Sequence, residues 1–149
     1  MSEPRPVTRA HVIACARAWI GTPYHHQASA RGFGTDCLGL VRGVWRELYG
    51  EDAERPPAYS RDWAEARGDE PLLAAAARHL RPVPTTDRAG GDVVIFRYRA
   101  HWPAKHVGIL TNVDQFVHAV EGAPVAEIDL APWWQRRIAG VFAFPEVRD

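Results

Sequence analysis

Gly34-Thr35-Asp36-Cys37-Leu38-Gly39-Leu40-Val41 is the stretch on which the fold of this chain turns, because loop gives way there to an apolar helix with a thiol at the junction. Asp36 is placed to cap that helix, whose apolar stripe runs through Val41, Val44, Trp45 and Leu48 and ends at Gly50. Gly39 and Gly43 lie one helical turn apart on it, where missing side chains let another backbone approach closely. The unpaired N–H groups and positive dipole end of a helix start favour an anion, which predicts an acidified Cys37 thiol able to act as a nucleophile at neutral pH. Upstream, Thr8 predicts the cap of a first helix over about residues 9–20, stopped by Gly21 and Pro23, with a loop from Tyr24 to Thr35 joining the two helices. Cys15 falls in the stripe Val12, Cys15, Ala16, Trp19 and reads as core packing.

Beyond Gly50 the pattern changes twice. Residues 51–90 read as an inserted, mainly helical segment: Ser60 predicts one short helix containing Trp63, and Asp69 with Pro71 starts another through Leu72, Leu73, Ala76, Ala77 and Leu80, closed before Pro82. The stretch Pro84 to Gly91 reads as loop. From Asp92 the period is that of strands, with Asp92–Phe96 as a central strand buried on both faces. Segments 106–111 and 116–120 flank the turn residues Asn112-Val113-Asp114-Gln115, which predicts an antiparallel hairpin with His106 and His118 in register on one face. Strands near 125–130 and 138–144 complete a small antiparallel sheet, and Pro132-Trp133-Trp134 is expected to cover an edge or an end.

Length and charge narrow the function classes. The chain has 149 residues and zero formal net charge, enough for one domain (1–149) and one core, with no electrostatic footprint for nucleic acid. No apolar run reaches membrane-spanning length, so no membrane insertion is expected, and Met1-Ser2-Glu3-Pro4-Arg5-Pro6 lacks the apolar stretch of a signal peptide, which predicts synthesis in the cytoplasm. Cys15 and Cys37 are the only cysteines, too few for a disulfide scaffold or a Cys-rich zinc site. A Cys at a helix start followed by two strand-borne His residues is the order of parts needed for thiol-based amide hydrolysis: a nucleophile, a base and a group that orients the base.

Gly21-Thr22-Pro23-Tyr24, the Gly34–Leu40 stretch, Gly91-Asp92-Val93-Val94-Ile95-Phe96, Lys105-His106-Val107-Gly108-Ile109 and Phe116-Val117-His118-Ala119 together resemble the NlpC-type family of papain-like cysteine peptidases. Leu38 and the run Arg42-Gly43-Val44-Trp45 resemble most the branch found in phage tails and gene transfer agents. The resemblance implies an α+β, papain-like fold with N-terminal helices packed on a small antiparallel sheet. It makes Cys37 the nucleophile, His106 the general base and His118 the residue that orients the base, with Tyr24 and Asp36 as substrate-binding residues and no metal or cofactor. It implies peptidoglycan stem peptides as substrate, cut between D-glutamate and the diamino acid.

The Cys37 N–H and the Tyr24 hydroxyl are the candidate oxyanion donors. Arg97, Arg99, His101 and Lys105 form a basic cluster before His106, suited to the free carboxylates of a stem peptide or simply to solvent. Other readings stay open at this level: a zinc site formed by Cys37, His106 and His118, a thiol acyltransferase or amidase of the same fold, and a structural tail or baseplate module with an idle site. The favoured expectation is a working peptidase carried by a phage-like tail particle to the periplasm or wall of a target cell. Trp133-Trp134 and the segment around Trp63 are the expected docking points for tail proteins.

Overall fold

The Thr8 hydroxyl accepts the N–H of His11 and so starts helix α1 (Arg9–Arg17), as a threonine N-cap does. The computed structural model describes residues 6–53 and 70–149. Helix α1 stops at Arg17 rather than residue 20 because Trp19 and Ile20 turn their N–H groups to Ala16 and Arg17, tightening the chain before Gly21 at φ 91°. The predicted stripe is intact: Val12, Cys15, Ala16 and Trp19 are buried. Within the expected 24–35 loop lies a small antiparallel hairpin, β1 (Ser29–Ala30) and β2 (Gly34–Thr35). Two residues per strand are too few for alternation to show in sequence.

Helix α2 (Cys37–Tyr49) runs from the Asp36 cap to Gly50, which closes it at φ 87°. Its two glycines admit different neighbours. A Cβ on Gly39 would lie 1.9 Å from the Ala28 carbonyl oxygen, the backbone approach that the sequence suggests. On Gly43 it would lie 2.0 Å from the Trp19 indole, so there it is a ring from α1 that fills the space.

Helix α3 (Pro71–His79) begins and ends close to its predicted bounds and buries Leu72 and Ala76. The expected helix around Ser60 and Trp63 lies outside the described residues. After α3 the chain does not go straight into loop. Arg81–Val83 forms strand β3, paired with residues 141–143. Pro82 argues against a strand unless the strand is an edge, and this one is.

Strands β4 (Val93–Phe96), β5 (His106–Asn112), β6 (Gln115–His118), β7 (Ala126–Asp129) and β8 (Ile138–Ala143) complete a six-stranded sheet of order β3-β8-β4-β5-β6-β7, with every neighbouring pair antiparallel. A short helix, α4 (Pro132–Gln135), precedes β8. All four residues of β4 are buried, in keeping with its central place. Alternation splits its side chains: Val93 and Ile95, with Val107 and Ile109 of β5, join the core under the helices, while Val94 and Phe96 join Leu110, Phe116 and Trp134 on the other face. The architecture is α+β, helices on a small antiparallel sheet. Among the described residues no helix is long and apolar enough to cross a membrane.

Because Gly43 sits against the Trp19 ring, Gly43→Ala should overpack the α1–α2 contact and cost about 1–3 kcal/mol. In a chain of this size that lowers the melting temperature by roughly 2–4 °C per kcal/mol. A thermal melt indistinguishable from the parent would show that the indole can move aside.

Candidate active site

Asp36 organises the start of α2 with both carboxylate oxygens. Oδ1 accepts the Gly39 N–H at 2.7 Å and Oδ2 accepts the Gln27 N–H at 2.7 Å, tying the turn before β1 to the helix. The expected substrate contact thus has its carboxylate turned to backbone and is itself buried. Asp36 takes the N–H of Gly39, and the N–H groups of Cys37 and Leu38 at the open helix start favour the Cys37 thiolate.

The other side of the thiol is β5. Leu110 donates its N–H to Asp92 beside β4 and Lys105 donates its N–H to Phe96 of β4, whereas by strand alternation Val107 turns its N–H the opposite way, towards β6. Strand β6 ends at His118, which pairs with Gly108, and no β6 residue reaches the start of β5. Cys37 occupies that gap: Sγ donates to the Lys105 carbonyl at 3.8 Å, and the Val107 N–H points back at Sγ. The thiol therefore meets β5 on both sides of His106 along the chain.

The expected acidification of Cys37 is reversed. Burial pushes its pKa up to about 12 and the neighbouring Asp36 carboxylate adds to the rise, outweighing the N–H groups of Val107, Leu38 and Cys37 that act the other way. A helix start favours a thiolate, but removing the sulfur from water costs more. At rest the Cys37 side chain is a neutral thiol.

His106 and His118 share a face of the hairpin, though not in direct register. A bulge at the turn end of β5 sets Gly108 opposite His118, so His106 reaches it diagonally. His106 Nε2 and His118 Nδ1 are 2.9 Å apart. Burial lowers His106 to about 3, with His118 adding to the effect, and lowers His118 to about 4. Both rings are neutral at pH 7. With one proton per ring, Nε2–H of His106 donating to Nδ1 of His118 leaves Nδ1 of His106 as the basic nitrogen.

Two aromatic residues complete the site: Tyr98, which the sequence reading did not single out, and Trp134, one of the pair expected to cover an edge or to dock a partner. Tyr98 stacks on His106 with centroids 5.8 Å apart and planes at 27°. Its hydroxyl is pushed well above the usual tyrosine value by burial first, with Cys37 and Tyr24 adding to the rise. Trp134 lies 5.3 Å from the His106 ring and 5.4 Å from that of His118, edge-on to the latter. It is thus the cover over the histidine pair, whereas Trp133 beside it is 44% exposed. Tyr24 bridges to Thr35 immediately before Asp36. The zinc arrangement finds no support in this geometry: the two imidazoles spend a nitrogen each on one another, and no group of three or more His, Cys, Asp or Glu among the described residues is placed to hold an ion.

A model of the NlpC/P60 family matches residues 21–142, from before the loop that leads to Cys37 to the last strand. The chain belongs to the NlpC/P60 family. Relatives in this family include the gamma-DL-glutamyl hydrolase of Bacillus subtilis, 26% identical over 89% of this chain and 29% of that protein. The murein DD-endopeptidase MepH of Escherichia coli is 27% identical over 81% of this chain and 40% of its own length. The murein DD-endopeptidase MepS/murein LD-carboxypeptidase of the same species is 28% identical over 80% and 54%. The chain thus spans about half or less of the length of these relatives. The NlpC/P60 fold itself is seen in the crystal structure of the NlpC/p60 domain of SagA, which superposes with a TM-score of 0.66 at 22% identity and covers 93% of this chain and all of that one. An NlpC/P60 protein from Bacillus cereus gives 0.71 at 18% identity, over 95% of this chain and 42% of that one.

The buried neutral histidines of this NlpC/P60 site make stability pH-dependent. Their folded-state pKa values lie below the unfolded value of about 6.5, so the unfolded chain binds more protons as pH falls, and stability present above about 6.5 is lost towards 4. Each contributes a slope of up to about 1.4 kcal/mol per pH unit. Melting temperature should fall between pH 6.5 and 4.5, and replacing His106 and His118 by Gln should flatten the decline. An unchanged slope in the double variant would contradict the assignment.

Proposed function

We propose that this chain is a cysteine endopeptidase acting on the stem peptides of peptidoglycan, with Cys37 as nucleophile, His106 as general base and acid, and His118 as the residue that orients His106. The observation that carries this reading is the placement of the Cys37 sulfur, at the start of α2 and against the backbone on both sides of His106. The relatives' names, murein endopeptidase and gamma-DL-glutamyl hydrolase, support a cell-wall or D-residue-containing peptide as the substrate class.

Burial penalises a lone thiolate and a lone imidazolium, but transfer of the Sγ proton to Nδ1 of His106 creates the two charges together, where each offsets the other. The thiolate attacks the scissile carbonyl carbon, and the oxygen that gains the electron pair is held by the Cys37 N–H. His106 then gives its proton to the leaving amine as the C–N bond breaks. Water, deprotonated by His106, hydrolyses the thioester and restores the thiol. Throughout, Nε2–H of His106 keeps its bond to Nδ1 of His118, which fixes the tautomer.

Purified peptidoglycan incubated with the protein should release fragments whose masses identify one cut in the stem peptide. Cys37→Ser should abolish the release with little change in melting temperature. His106→Ala should lose at least as much as one general-base contribution, roughly a hundredfold or more, and His118→Ala less, since it moves no proton. Intact activity in Cys37→Ser would end this reading.

The finer expectation, delivery by a phage-like tail particle to the wall of a target cell, rests on the resemblance of Leu38 and Arg42-Gly43-Val44-Trp45 to that branch. Particles purified from a producing strain should contain the chain. Its recovery only as free protein would refute the delivery role.

A further inference from the structure

The loop between β4 and β5 is built, not slack. Glu70, just before α3, forms an ion pair with Arg97, and its Oε2 accepts the Ala104 N–H at 3.0 Å. Arg97 also donates from Nη1 to the Trp102 carbonyl at 2.5 Å. Arg97 is thus the cation of this loop that serves the loop itself. The other two are laid on aromatic faces: the Arg99 guanidinium sits 4.5 Å from the Trp102 centroid, and the Lys105 Nζ lies 5.7 Å from Trp102 and 5.9 Å from Tyr98. Tyr98 in turn stacks on His106.

These contacts form one continuous strip leading away from the base. From His106 it passes to Tyr98, then to Lys105 between two rings, then to Trp102 and Arg99. Arg99 makes no ion pair among the described residues, and Arg99 and Trp102 are both exposed. No acidic residue occurs from Arg97 to Lys105, and Lys105 is the only lysine in the sequence. Two ring contacts bring the Lys105 Nζ within about 12 Å of the His106 imidazole, roughly the reach of three or four extended residues. A cation held over a ring has less freedom to lose when it binds an anion, and the ring face excludes water from one side of the pair.

We propose that Arg99 and Lys105, presented on Trp102 and Tyr98 by the loop that Glu70 anchors, form a carboxylate-binding subsite that selects peptide substrates carrying a free acid within a few residues of the scissile bond. This specificity rests on the peptidase reading above, and it distinguishes acidic stem peptides from those in which the same carboxyl is amidated.

Calorimetric titration separates the two ideas because it needs no turnover. Cys37→Ala protein is titrated with a synthetic stem peptide bearing a free D-glutamate carboxylate and with the same peptide as the carboxamide. The free acid should bind about tenfold more tightly, as one charge-assisted contact provides, and the preference should shrink as salt is raised. In Arg99→Gln and in Lys105→Gln the ratio should fall towards one, and Arg99→Lys should recover part of it. Equal binding of the two peptides by the parent would overturn the proposal, as would variants that weaken both peptides equally, since that marks a structural role. Binding preference without hydrolysis by the unmodified protein would leave the subsite standing and count against the peptidase reading.

Discussion

The departure of β6 from β5 after the Gly108–His118 pair is the constraint on which the site depends. It frees the carbonyl of Lys105 and the N–H of Val107 from the ladder, and a buried backbone group without a partner is costly. The sulfur of Cys37 fills the opening and interacts with both. Docking of α2 onto the sheet is therefore the same event as assembly of the thiol beside the histidine strand. Two tight contacts fix how α2 arrives: the Ala28 carbonyl against Gly39 and the Trp19 ring against Gly43.

Much of this was legible in the sequence because it is local. Asp36 as a cap, Cys37 at the helix start, the Gly39–Gly43 spacing and the hairpin around Asn112–Gln115 depend on neighbours within a few residues, where periodicity and capping rules apply. The parts that were not legible are non-local. Tyr98 and Trp134 reach the histidines only through the fold, across the β4–β5 loop and from the helix before β8. Nothing in the spacing of Trp133-Trp134 tells which indole turns inward. Strand β3 was hidden by its three residues and by Pro82, and β1–β2 by being shorter still. The direction of the Cys37 pKa is not legible for a related reason, since the helix start is visible in sequence and the burial that opposes it is not.

The electrostatic character of the site follows from the same burial. Thiol and both imidazoles rest uncharged, so the polar machinery sits in a region where Phe96, Phe116, Tyr98 and Trp134 supply the surroundings. The cations Arg99 and Lys105 lie on the loop, against the rings of Trp102 and Tyr98.

The contact of Lys105 with the thiol is made by its main-chain carbonyl. Any residue at that position offers the same oxygen, so the side chain is an independent variable. The loop can drift in sequence, exchanging one head group for another, while the sulfur keeps its acceptor. Substitution at position 105 therefore changes the head group carried by the loop without changing the atom that meets the sulfur.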